Sequence, residues 1–419
     1  MTIELTRSFL VESLWTRLTP PSHNGRLRKL RILLPCLILA TGVMLRAQGG
    51  DPSVHDDDSV NSWNRLWVSG QANFIRQQHD ALPAAYSGPN SFRNTPEHAT
   101  SRVLTLYTGL QITPNLEIIA DVESAGGYGL SNALGIAGFT NLDVVRNPTL
   151  RSQPYLARGL PHYIVPLSKD KVEVTRNPLS LSTSLPVRRL EFRLGKMSTA
   201  DFFDVNAVGS DSHLQFMNWT VNNNGAFDYA ADTRGYTYGL LAEYYDRFGA
   251  FRLGEMLMPT VANGIDLDWN ITRASGENFE LELHRTIIPD RESVLRLLAF
   301  VSHADMGNYR ETINGYLSGH DPVPDVVKYR KQGRVKYGFG INLEQPITGQ
   351  VRAFARLGWN EGANESFAYT EVDRTVQIGG DLRGQAWRRP NDKIGAAFVT
   401  NGISGDHRRY CNSGGSDFF

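Results

Sequence analysis

The sequence predicts an all-β protein: an antiparallel up-and-down barrel of transmembrane type, about 16 strands in its complete form, with loops folded inward. Three observations predict it. Short runs alternate apolar and polar residues along most of the chain. Beyond the first fifty residues no stretch approaches the roughly 20 consecutive apolar residues of a membrane helix. Short turns and long polar loops alternate as connections, as they do when a chain weaves up and down through a bilayer.

The N-terminus comes first. Arg26, Arg28, Lys29 and Arg31 precede an apolar run from Ile32 to Leu45, followed by Arg46, Ala47 and Gln48. A basic segment, a short apolar core and a small residue form a secretory leader, here residues 1–47. Met1–Gly25 is long for the basic segment, which points to a later start. Leu33-Leu34-Pro35-Cys36 is a poor lipoprotein signal, because Pro35 stands where a small residue is wanted and the apolar run continues past Cys36. The first 47 residues hold seven basic and two acidic residues, so the remainder has 36 basic against 41 acidic. That net negative charge speaks against nucleic-acid binding. Only Cys411 would remain as a thiol, so the cysteines say nothing about redox compartment. Residues 48–62, rich in Gly, Asp and Ser, read as a flexible start, with the barrel domain spanning 63–419.

Parity sorts the strands. In 116–123, Leu116, Ile118, Ala120 and Val122 oppose Glu117, Asp121 and Glu123. In 189–194, Leu190, Phe192 and Leu194 oppose Arg189, Glu191 and Arg193. In 279–284, Phe279, Leu281 and Leu283 oppose Glu280, Glu282 and His284. In 336–344, Tyr337, Phe339, Ile341 and Leu343 oppose Lys336, Asn342 and Glu344. In 350–360, Val351, Ala353, Ala355, Leu357 and Trp359 oppose Arg352, Arg356 and Asn360. In 375–385, Val376, Ile378 and Leu382 oppose Gln377, Asp381, Arg383 and Gln385. The polar faces mix both charges with Gly, Asn and Gln, which suits a water-filled lumen better than the outside of a soluble sandwich. A secreted β-rich binding protein is the alternative.

Turn chemistry marks Thr113-Pro114-Asn115, Gln345–Gly349 and Arg389–Asp392, whereas 78–100, 303–334 and 361–370 are long and polar. Two segments do not fit strands: 140–187, with six prolines, and 199–232, polar and aromatic. Both are candidate constriction segments, because loops this long are usually functional or disordered and these carry aromatics.

Several strings resemble the carbohydrate-selective porins of OprB type. They are Arg193-Leu-Gly-Lys-Met-Ser-Thr-Ala-Asp-Phe-Phe-Asp204, Gln215-Phe-Met-Asn-Trp-Thr-Val-Asn-Asn-Asn-Gly-Ala-Phe-Asp-Tyr-Ala-Ala-Asp232 and Thr233-Arg-Gly-Tyr-Thr-Tyr-Gly239. Leu106–Ile112, Asp121–Gly127, Arg356–Glu361 and Asn401–Tyr410 add to them, so that the resemblance covers about residues 63–412. It implies a 16-stranded barrel in the Gram-negative outer membrane that passes sugars by facilitated diffusion. Charged and aromatic residues would line the constriction. It implies small sugars and membrane lipid as partners, no cofactor and no catalysis.

Sugar chemistry agrees. Arginine forks and carboxylates grip the hydroxyl rim, and aromatic rings cover C–H faces. The candidate lining is Arg189, Glu191, Arg193, Asp204, Asn206, Trp219, Arg352, Phe354 and Arg356. Each has a structural alternative. An arginine can stiffen the wall in an ion pair. Trp219 can pack the loop rather than stack on solute, which is the better reading. Asp204 and Asn206 can tie the loop. Asn222–Asn224 reads as turn chemistry, and Trp359 and Tyr337 read as interface anchors. Acidic residues share the predicted wall with the arginines, which favours neutral solutes over export of an anionic polysaccharide. An outer-membrane hydrolase is the weaker alternative: Asp211, Ser212 and His213 are chain neighbours, a poor arrangement for a triad. Monomer and homotrimer both remain open.

The C-terminus predicts a departure. The resembling family runs past the His-Arg-Arg-Tyr string into further strands and an aromatic closing strand. Here Gly414-Gly415-Ser416-Asp417 has turn composition before the final Phe419. The expectation is a truncated or frameshifted chain lacking its last strand or strands, with about 12 to 14 strands in place of ~16.

Overall fold

A computed structural model describes residues 65–133, apart from 84–86, 88–90 and 92, and residues 150–416. The leader and flexible start assigned to 1–62 lie outside them, as do residues 140–149 of the first candidate constriction segment.

Thirteen strands form one antiparallel sheet in which each pairs with the next along the chain. They are β1 (Leu66–His79), β2 (Glu97–Thr113), β3 (Leu116–Gly127), β4 (Tyr155–Pro166), β7 (Arg189–Met197), β8 (Thr237–Asp246), β9 (Gly249–Leu257), β10 (Ser275–Ile288), β11 (Arg291–Met306), β12 (Lys331–Pro346), β13 (Val351–Asn360), β14 (Arg374–Arg383) and β15 (Lys393–Gly402). Between β4 and β7 a small separate hairpin joins β5 (Lys171–Glu173) to β6 (Ser184–Pro186). Many strands are nine or ten residues long, the length that crosses a bilayer when tilted. None of the described helices is long and apolar enough to cross a membrane. About 16 strands are expected of the complete fold and about 12 to 14 of this chain; the described residues carry thirteen in this sheet, and β1 and β15 are not paired to each other. These edge strands run in the same direction, so they cannot meet as an antiparallel pair.

Pleating fixes the faces. Across β12 and β13, Phe339 pairs with Trp359 and Ile341 with Leu357 on the outside, while Asn342 pairs with Arg356 on the inside. Outside, Leu357, Ile341, Ile378 and Phe398 are exposed apolar residues. Inside, Glu117, Glu191, Glu280, Asn342 and Arg356 are buried. An exposed apolar face and a buried charged face invert a soluble protein and match a barrel in lipid. Tyr337 and Phe339 cluster with Trp359 on the outer face, at ring separations of 6.0 and 5.7 Å, as aromatic anchors do at a membrane interface.

Two readings of irregular structure are corrected. The span 140–187 contains β4, despite Pro161 and Pro166. Pro161 has no N–H to donate, and the pairing of β4 with β7 skips it, running from Gly159↔Lys196 to His162↔Arg193. The polar stretch 303–334 contains helix α1 (Tyr309–Leu317), capped by the Asn308 side chain, which accepts the Glu311 N–H. A second helix, α2 (Gly405–Asn412), follows β15, ahead of the string of turn composition that begins at Gly414. Its Ser404 cap accepts the His407 N–H at 3.0 Å. Stacking of Tyr309 on His407, with centroids 4.4 Å apart, fastens α2 to α1.

Candidate functional site

The inner wall carries a belt of alternating charge. Parity places one to three ionic residues of each strand on the inner face, and antiparallel register brings them into contact. His162 Nδ1 lies 2.6 Å from Glu117 and its Nε2 lies 2.8 Å from Glu191. Arg189 and Arg193 both donate to Glu191, at 2.6 and 2.8 Å. Arg193 also donates to Glu243. Arg252 then donates to Glu243 at 3.1 Å, Glu280 at 2.9 Å and Glu282 at 3.0 Å. Arg296 links Glu282, at 2.7 Å, to Glu344. The belt thus runs from β3 to β12.

Residues 198–236 lie inside the barrel and are bolted to that wall. The Asp204 N–H donates to Glu280 at 2.7 Å, and the Asp204 carboxylate accepts from the Asn224 N–H at 2.7 Å and Asn342 Nδ2 at 3.0 Å. Asn206 Nδ2 donates to Asn342 Oδ1 at 2.7 Å. Arg356 is ion-paired with Asp204 at 3.1 Å and donates to the Val221 carbonyl at 2.6 Å and Ser210 Oγ at 2.8 Å. Trp219 stacks on Tyr369, with centroids 5.2 Å apart, and its carbonyl accepts the Tyr369 hydroxyl. Phe354 packs against Phe216 and Val221.

Inward-facing glycines form the sockets. A methyl group at Gly254 would come 2.9 Å from the Phe203 ring. One at Gly340 would come 2.6 Å from Asn224, and one at Gly358 would overlap the same amide. The other end of the lumen has an insert too. Leu181, in the β5–β6 hairpin segment, is buried over Gly109 and its N–H donates to Glu117 at 2.9 Å.

The structure therefore brings all nine sequence-predicted residues to one inner wall or the loop upon it. Eight of them are buried. Arg352 alone of the nine keeps partial exposure, while its Nε donates to Asp381 at 2.9 Å. Arg189, Glu191, Arg193, Asp204, Asn206 and Arg356 are engaged with the protein itself. Reading single strands missed Glu243, Arg252, His162 and the socket glycines. Glycines at inward parity on successive strands were the available signal. Asp211, weighed as part of a triad, serves a turn: its φ is +85° and its carboxylate accepts the N–H groups of His213 and Leu214.

An up-and-down sheet, apolar outside and ionic inside, with a loop fixed in its middle, defines an outer-membrane porin. The profile of the carbohydrate-selective porins, OprB family, matches residues 90–415, and this chain belongs to that family. Its place is the Gram-negative outer membrane and its task is saccharide diffusion. Among solved structures it is similar to the high-pH structure of Pseudomonas putida OprB, with a TM-score of 0.56 and 15% identity over 84% of this chain and 80% of that one. Pseudomonas aeruginosa OccK2 (OpdF) matches at a TM-score of 0.35 and 8% identity, over 80% of this chain and 79% of that one. No curated protein sequence matches.

Proposed function

We propose that this porin passes neutral saccharides by facilitated diffusion through a constriction whose loop is a fixed part of the wall. The belt of paired charges carries the reading. Each carboxylate of the belt (Glu117, Glu191, Glu243, Glu280, Glu282 and Glu344) has a cationic or imidazole partner within hydrogen-bond reach. A wall so neutralised offers no single-sign field to gather anions or cations. A polysaccharide exporter for anions would need an excess of basic groups. The outward apolar strands meet outer-membrane lipid, and residues 1–47 act as a leader removed after Ala47.

Two measurements test the reading. Glucose added to a single channel in a planar bilayer should block the KCl current in a saturable way, and the reversal potential in a salt gradient should show little ionic preference. Strong anion selectivity without glucose block would favour the exporter. N-terminal sequencing of envelope protein should begin near Gln48; recovery of the basic cluster would remove the leader.

A further inference from the structure

We propose a saccharide subsite on the inner face of β1 and β2, near the short-turn end of the lumen, built by Trp67, Tyr107, Gln71 and Asn73. It rests on the reading of this chain as a sugar channel and names where a sugar ring is held.

The candidates from sequence are the wrong surface for a solute, because their polar atoms are spent on the loop and on one another. On β1 the inward residues differ in charge and exposure. Trp67, Ser69, Gln71, Asn73, Ile75 and Gln77 share one face, are only half-buried and carry no charge. That face points inward, since Trp67 and Ile75 pack against the buried core and Phe74, on the other face, is 69% exposed. Cross-strand register sets Ser69 opposite Tyr107 and Gln71 opposite Thr105. Trp67 and Tyr107 lie with ring centroids 6.5 Å apart and planes 31° apart, a half-buried aromatic platform. Gln71 is aimed by a relay: its Nε2 donates to Thr105 Oγ1 at 3.2 Å, and that hydroxyl donates to buried Glu123 at 3.0 Å. Trp67 pairs with Gly109, four residues before the turn at Thr113, which fixes the height.

Ring and amide together suit a sugar. The indole and phenol planes cover its C–H face. A primary amide both donates and accepts, as vicinal hydroxyls do, so it matches them in either sense without adding charge. Contact on one side only binds weakly, and weak binding lets the solute leave.

The test is block of single-channel KCl current by glucose and by maltose. Trp67→Leu keeps apolar volume but removes the ring, and Gln71→Ala removes the amide. Phe74→Leu, on the lipid face, is the control. Each of the first two should weaken sugar block about three- to tenfold, the loss of one such contact, with KCl conductance as in wild type and the control unchanged. Wild-type block in both variants would overturn the subsite while leaving the sugar channel intact. If Trp67→Leu does not insert, Gln71→Ala decides alone. Absence of sugar block in the unmodified protein would instead overturn the channel reading on which the subsite depends.

Discussion

Arg356 illustrates how one residue can be predicted in position and misread in use. Parity alone set it on the inner face beside Arg352 and Asn360, and it is there. Yet its guanidinium reaches across more than 130 residues of sequence to Val221 and Ser210. No local pattern announces a partner that distant. Arg356→Ala should leave the Asp204 carboxylate buried without its cation, an effect of about 3–5 kcal/mol when a buried pair is broken. Denaturant midpoints should fall, and the open-channel current should become larger and noisier as the loop loses its tie. A quiet wild-type current in that variant would make the arginine dispensable. Gly358 is the complementary case. A methyl group there meets Asn224, so Gly358→Ala should displace the same loop and raise conductance, whereas Leu357→Ala, facing lipid, should leave conductance unchanged.

At the scale of elements, strands were legible and what fills them was not. A period of two exposes each strand's faces within a few residues, which is why 116–123, 189–194 and 350–360 read with the observed sidedness. The long loop 198–236 has no such period, since its order comes from glycine sockets and from side chains on distant strands, among them Glu280, Asn342, Arg356, Asn360 and Gln377, that meet its backbone groups. Helix α1 had a local sign that the length of the polar stretch obscured: Asn308 followed three residues later by Glu311, a cap signature. That helix also gives a pH prediction. Hydrogen bonds from Arg334, at 2.6 Å, and Lys331, at 2.8 Å, hold the Glu311 carboxyl below its usual range. A carboxylate depressed on folding stabilises above its unfolded value, about 4.3 for Glu, and loses that contribution as pH falls through the lower folded one. Proteolytic cleavage within 307–330 should therefore rise in acid, and Glu311→Gln should flatten that dependence. Equal cleavage at pH 3 and pH 7 in the unmodified protein would show the contacts to be without effect.

For the whole molecule, the inversion of polarity is the organising fact: lipid solvates the outside while the inside solvates its own charges. Removing the aromatic anchor by Trp359→Ala should lower the temperature at which the barrel unfolds in detergent, with little change in conductance, because Trp359 faces outward beside Tyr337 and Phe339. A conductance change without a stability change would put that residue in the lumen. In the proposed function, a charge-balanced, permanently narrowed lumen passes neutral sugar. Proteoliposome swelling measures it directly, with glucose, maltose and gluconate as osmolytes. Swelling in glucose should run well above that of protein-free liposomes, with slower swelling in maltose and no preference for gluconate over glucose. Faster swelling in gluconate than in glucose, or none in either sugar, would contradict it.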